Sequence, residues 1–160
     1  MVWRNRLNIL ATQYTLPTKS FEIYVAGCNG NPHCTGCHNP EGWDFNQGTK
    51  YTEEYFKQKI EPKILEFREL INNIMIFGGE PLDQDHNELM SMLNDLNKLN
   101  LPIWIFTRYD IKNVPEEIKE YCDYIKCGRY LPELTTDTNN QYGIKLATSN
   151  QKIYRKGVDF

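Results

Sequence analysis

The sequence has little that would direct it to a membrane or to nucleic acid. No stretch approaches the roughly 18 consecutive apolar residues of a membrane helix. The start carries Arg4 and Arg6, but Asn8, Thr12 and Gln13 follow, which makes a poor signal-peptide core. No long basic run is present and the formal net charge is −3. We therefore expect a cytoplasmic protein whose partners include neither membranes nor nucleic acid.

The chain also lacks internal repeats, low-complexity tracts and a recognisable linker. Its 160 residues suit one domain of ordinary size, which we place at residues 1–160. A chain of this length buries about two-thirds of the surface that its unfolded form exposes. Because such a chain needs no disulfide staple to fold, its five cysteines require another explanation.

Short apolar runs predict the strands. They lie at residues 21–26, 73–77, 103–106, 124–127 and 144–147, with residues 151–155 as a last strand or an ordered tail.

Helix signals separate these runs. Thr52 is a good N-cap, and apolar residues recur at helical spacing after it, although Pro62 must interrupt or kink that helix. Asp85 and Glu88 can cap a second helix, and Pro115 begins a short third one. The apolar stripe of the first helix is predicted at Phe56, Ile60, Ile64, Phe67 and Ile71, and that of the second at Leu89, Met92 or Leu93, Leu96 and Leu99.

Repeated alternation of strand and helix predicts an α/β fold with a largely parallel sheet. The units are too few for a closed eight-stranded barrel of about 250 residues. We therefore predict an open, partial barrel of about five to six mostly parallel strands. Ligands of such sheets bind at the carboxyl ends of the strands. The residues that follow the predicted strands are Cys28, Gly78, Thr107, Arg129 and Ser149.

Three of the cysteines lie close together. Cys28, Cys34 and Cys37 are spaced C-x5-C-x2-C, and thiolates are soft ligands that suit zinc or iron–sulfur clusters. Three thiolates can hold three corners of a four-iron cluster and leave one iron open to a substrate. Alternatively, His33 or His38 could complete a Cys3His zinc site. The spacing alone favours the two alternatives about equally, and a disulfide much less.

A second motif, FGGEPL at residues 77–82, directly follows an apolar strand. Paired glycines let the backbone approach a ligand closely. Backbone carbonyls and the Glu80 carboxylate are acceptors that suit an ammonium group. A GGE sequence alone is often only a turn, but its combination with an upstream cysteine triplet favours the iron–sulfur alternative.

On these motifs the sequence resembles the radical S-adenosylmethionine superfamily. Within it, the sequence is most similar to the glycyl-radical-enzyme activating proteins of anaerobic ribonucleoside-triphosphate reductase. The first cysteine gap is two residues longer than the common C-x3-C-x2-C spacing, and Gly30 and Pro32 allow this insertion to bulge as a turn. The resemblance rests on YVAGC, CTGCHNPEGWDF, FGGEPLDQ, WIFTRYD, YIKCGRY and GIKLATSNQKIY, which span most of the chain.

The resemblance implies a radical S-adenosylmethionine fold and two cofactors, a [4Fe–4S] cluster and S-adenosylmethionine. The chain would cleave S-adenosylmethionine reductively and place a glycyl radical on anaerobic ribonucleotide reductase, with flavodoxin or ferredoxin as electron donor. The cluster ligands would be Cys28, Cys34 and Cys37. The S-adenosylmethionine contacts would be Gly78, Gly79, Glu80, Thr107, Arg129 and Asn150, and no catalytic side chain is expected beyond the cofactors.

Other residues have plainer interpretations. Arg129 could equally be a solvated surface arginine, and Asn150 a turn former. We expect Trp43 and Phe45 to cover the cysteine loop. Cys122 and Cys127 are interpreted as small buried hydrophobes.

Overall fold

A computed structural model describes residues 7–30 and 40–160. Within these residues, a seven-stranded mixed sheet forms the centre of the molecule. Its strands, in spatial order, are β3 (Thr49–Lys50), β1 (Asn8–Thr15), β2 (Ser20–Val25), β4 (Asn73–Gly78), β5 (Ile103–Phe106), β6 (Tyr124–Cys127) and β9 (Lys152–Arg155). The four strands β2, β4, β5 and β6 run parallel, and the outer strands pair antiparallel.

The parallel block corresponds to four of the predicted strands. Its registers place Ile23 beside Ile76 and Ile76 beside Ile105, so β-branched residues meet across three strands. The sheet is open, and the partial-barrel architecture remains a prediction.

Strand β1 was not predicted, because its sequence NILATQYT mixes apolar and polar residues without strict alternation. The strand forms a hairpin with β2, in which Thr12 faces Ile23 and Thr15 faces Ser20.

The predicted fifth strand of the sheet is wrong. Residues 144–147 do not enter the main sheet. Instead, β7 (Asn140–Gln141) and β8 (Ile144–Lys145) form a separate antiparallel hairpin. The two residues between them make a tight turn, so β8 pairs with β7, the strand that directly precedes it in the sequence. The last strand, β9, is confirmed and pairs antiparallel with β6.

The first helical segment carries the expected cap and interruption. Thr52 accepts a hydrogen bond from the Tyr55 N–H at 3.0 Å and begins α1 (Glu53–Tyr55). A π-helical turn, Phe56–Ile60, then precedes α2 (Glu61–Glu66). Pro62 lies in the first turn of α2 and has no N–H, so the α-helical ladder is interrupted there. The predicted stripe is wrong at Phe67, which is 48% exposed because the helix has already ended.

Helix α3 (His86–Asn97) begins at Asp85, which accepts from the Glu88 N–H at 3.1 Å, as predicted. Helix α4 (Glu116–Tyr121) follows Pro115. Within the described residues, no helix has the length and apolar character needed to cross a bilayer.

The two faces of the sheet differ in composition. Ile74, Ile76, Ile103 and Ile105 join the main aliphatic core with residues of the helices. The opposite face presents the alternate residues of the same strands. It carries a smaller cluster in which Met75, Trp104, Leu146 and Ile153 are buried and Phe77, Phe106, Tyr124 and Ile144 are partly buried.

Candidate functional site

Three glycines let the carboxyl ends of β2 and β4 pack closely against the segment around Gly42, and we call this contact the glycine junction. The Gly27 N–H donates to the Gly42 carbonyl at 2.7 Å, and the Glu80 N–H donates to the Gly27 carbonyl at 2.8 Å. A Cβ on Gly79 would collide with the carbonyl oxygens of Gly27 and Gly42. Gly79 is therefore required for the close approach of three backbone segments.

A cavity of about 280 Å³ opens beside this junction, at the carboxyl ends of the parallel strands. This volume lies near the lower end of the ~300–1,000 Å³ typical of small-molecule sites. Five predicted site residues contribute to its lining: Cys28, Gly78, Gly79, Glu80 and Thr107. The sheet edge thus brings together residues that are far apart in the sequence, as expected for a parallel sheet.

The Glu80 carboxylate is held by the protein itself. It accepts hydrogen bonds from the Thr107 hydroxyl at 2.7 Å, the Arg108 N–H at 2.7 Å and the Leu82 N–H at 3.0 Å. Burial raises the pKa of this carboxyl, and the three hydrogen bonds oppose the rise. Glu80 and Thr107 therefore tie the loops after β4 and β5 together, and their roles toward a ligand remain predictions.

A second network, which the sequence did not reveal, lies next to Glu80. Asp83 accepts from the Asn29 N–H at 2.7 Å, from Arg108 Nη2 at 3.1 Å and from the Tyr109 hydroxyl at 2.5 Å. The Arg108 guanidinium also lies over the Tyr109 ring, 4.3 Å from its centroid. Asp83 thereby links the residue after Cys28 to the loop after β5. The signal available in the sequence was a Thr-Arg-Tyr run directly after a strand.

Cys28 stands at the edge of the cavity and is half-buried. Its N–H donates to the Trp43 carbonyl at 3.2 Å. Burial raises the pKa of the Cys28 thiol, and the positive charge of Arg108, which lines the same cavity, opposes the rise. Cys28 is therefore an accessible thiol beside a cation.

Cys122 and Cys127 have a different environment. Both are buried in the aliphatic core, which confirms their interpretation as small hydrophobes. Burial raises the pKa of the Cys127 thiol to about 12, and that of Cys122 rises as well. Neither thiol is suited to metal binding in this state.

Arg129 and Asn150 are not among the described residues that line the cavity. Gly128 adopts a φ of +111° directly after β6 and redirects the chain there. Beyond this bend, Asn150 Nδ2 donates to the Arg129 carbonyl at 2.9 Å, which pairs the two residues with each other. The cation of β6 that does line the cavity is Lys126, which lies within the strand itself.

Trp43 and Phe45, which were expected to cover the cysteine loop, lie beside the cavity and the glycine junction, and cover of the loop itself remains a prediction. Trp43 lines the cavity, and the ring of Phe45 packs where a Cβ on Gly27 would lie.

Cys34, Cys37, His33 and His38 lie outside the described residues. Within residues 7–30 and 40–160, no group of three or more His, Cys, Asp or Glu side chains could hold a metal ion.

Comparison with known proteins adds one family to this geometry. The family model described as a 4Fe-4S single cluster domain matches residues 19–154. The chain belongs to this 4Fe–4S single cluster family. The match runs from the turn before β2 into β9, so it includes the whole parallel block and all three clustered cysteines. A search of curated proteins gives no match.

Membership of the 4Fe–4S single cluster family favours an iron–sulfur cluster over zinc at the cysteine loop. The chemistry of the donor set fits such a cluster. Cys28 is accessible, unlike Cys122 and Cys127, and Cys34 and Cys37 would supply two more thiolates close by in sequence. Three thiolates would leave one iron without a cysteine ligand, and the cavity lies next to Cys28.

Proposed function

We propose that this 4Fe–4S protein is a radical S-adenosylmethionine enzyme that places a glycyl radical on a partner protein. When bound by Cys28, Cys34 and Cys37, the cluster would supply the electron that cleaves S-adenosylmethionine to methionine and a 5′-deoxyadenosyl radical. The observation that carries the proposal is the position of Cys28. It borders a cavity formed by the Gly78-Gly79 backbone, in a chain whose family binds one 4Fe–4S cluster.

The protein residues would bind and orient the cofactor and exclude water. Backbone at Gly78 and Gly79 offers a wall without side chains, against which a methionine end could lie. Tyr24, Phe77 and Phe106 provide an apolar wall, in which Phe77 stacks on Phe106 at 4.1 Å and on Tyr24 at 5.4 Å. An apolar wall of this kind protects a reactive intermediate from solvent.

The substrate would be a protein glycine. In the part of the chain that the structure describes, helices cover one face of the sheet, and the residues that line the cavity come from the ends and the opposite face of its strands. No second domain encloses the site within these residues. A docked protein could close it and present a glycine loop. The resemblance names anaerobic ribonucleotide reductase as that partner, with flavodoxin or ferredoxin as the electron donor.

The test begins with anaerobic reconstitution of the full chain. The reduced protein, given S-adenosylmethionine, should release 5′-deoxyadenosine. Addition of the same organism's anaerobic reductase should produce a glycyl radical doublet in the paramagnetic resonance spectrum of the reductase. Release of 5′-deoxyadenosine with turnover of a small metabolite and no glycyl radical would contradict the assignment of the partner. A colourless protein that holds one zinc and forms no 5′-deoxyadenosine would contradict the enzyme itself.

A further inference from the structure

Asp83 is a buried hub between the cysteine loop and the rest of the site. Its side chain is only 4% exposed, and its two oxygens bind Asn29, Arg108 and Tyr109. Asn29 follows Cys28 directly, so its N–H fixes the backbone that carries the thiol. Hydrogen bonds to a carboxylate in a buried site are stronger than bonds between neutral groups. Asp83 therefore fixes the position at which Cys28 leaves β2.

Arg108 places a permanent positive charge at the same point. Its side chain is 19% exposed, its guanidinium lies 3.1 Å from Asp83 Oδ2 and 4.0 Å from Glu80 Oε1, and it lines the same cavity as Cys28. Of the two charged partners in the Asp83–Arg108 pair, Arg108 is the one that lines the cavity beside Cys28. Asp83 reaches the cysteine segment through the neighbouring N–H.

We propose that Arg108 and Asp83 are positioning residues that set the reduction potential of the cluster through opposite charges beside Cys28. The proposal rests on the cluster binding at Cys28, which is part of the proposed function, but on neither S-adenosylmethionine nor a partner protein. Net charge, hydrogen bonds to sulfur and solvent exposure are the factors by which a protein adjusts a cluster's potential.

The signs of the two effects follow from electrostatics. Reduction adds one electron, so a cation near the thiolate stabilises the reduced cluster and raises its potential. A buried carboxylate does the opposite. The pair is poorly screened because both side chains lie largely out of water. Removal of Arg108 should therefore lower the potential, and removal of the Asp83 charge should raise it.

The experiment measures the midpoint potential of the reconstituted cluster, without S-adenosylmethionine, in Arg108→Gln, Arg108→Lys and Asp83→Asn. We expect a shift to more negative potential in Arg108→Gln, a smaller one in Arg108→Lys and a shift to more positive potential in Asp83→Asn. Lys57→Gln is the matched control. It removes one positive charge from the exposed Lys57–Glu53 pair and should leave the potential unchanged.

A merely structural role predicts another result. If the two residues only hold the loop in place, Arg108→Gln and Asp83→Asn should both lose iron, or both shift the potential in one direction. Either result, or an unchanged potential in both variants, overturns the proposal. Because the wild-type protein is measured beside them, a wild-type chain that binds no iron identifies failure of the proposed function instead.

Discussion

The two faces of the central sheet are made from alternate residues of the same strands, yet they differ in chemistry. Toward the helices, the parallel strands present isoleucines that are fully buried, such as Ile76 and Ile105. Toward the other side they present Phe77 and Phe106, which stack on each other but line a cavity. The first face is filled with hydrocarbon and stabilises the fold. The second leaves a cavity open, with aromatic rings as part of its wall.

Ile76 and Phe77 are neighbours in β4 and face opposite sides of the sheet. Substitution of each by alanine is expected to give the largest difference in stability between the two faces. Ile76→Ala should lower the free energy of unfolding by about 3–4 kcal/mol, because it leaves a cavity in a closed core. Phe77→Ala should cost about 1–2 kcal/mol, since its ring is partly exposed and loses mainly stacking. Urea unfolding of the apoprotein, followed by circular dichroism, measures both. Equal losses would contradict the distinction between the two faces.

Gly79 directly follows β4, at the carboxyl end of the parallel strands. Gly79→Ala should destabilise the apoprotein by about 2–3 kcal/mol, because its Cβ would collide with two backbone carbonyls that have little room to move. Gly143→Ala is the matched control. At Gly143 nothing lies within 4 Å of an added Cβ, so only the φ of +79° is unfavourable, at about 1 kcal/mol. If Gly79→Ala is tolerated as well as Gly143→Ala, the junction is not closely packed.

Thr52, the N-cap of α1, allows a test of how much one capping hydrogen bond contributes to the free energy of unfolding. Thr52→Ala removes the hydroxyl that accepts from the Tyr55 N–H and should cost about 1 kcal/mol. Thr52→Ser keeps the acceptor and should restore most of the loss in the same urea titration. A larger loss in Thr52→Ser than in Thr52→Ala would show that the hydroxyl does not act as a cap.

The elements that the sequence predicted well are those whose signal is local. The runs at β4, β5 and β6 are short and apolar, and Thr52 and Asp85 cap their helices by bonds within one turn. Strand β1 and the hairpin of β7 and β8 depend on pairing choices that an isolated segment does not encode. Both are hairpins: β1 pairs with β2 and β8 pairs with β7, in each case the neighbouring strand in the sequence.

The same limit applies to the site. Because the carboxyl ends of parallel strands share one edge, Cys28, Gly78 and Thr107 could be expected together, and the cavity contains all three. The rule did not hold for Arg129, which does not line the cavity although Gly128 and Tyr130 on either side of it do. It also gave no indication of the bonds to Asp83, since these depend on how three loops fold against one another.

The iron content of cysteine variants tests the central claim most directly, that the accessible cysteine at the cavity binds the cluster and the buried ones do not. After anaerobic reconstitution, the wild-type protein and Cys122→Ala should each hold about four irons per chain. Cys28→Ala should lose most of this iron and its brown colour, because one of three thiolates is gone. Equal loss of iron in Cys28→Ala and Cys122→Ala, or full retention in Cys28→Ala, would contradict the account.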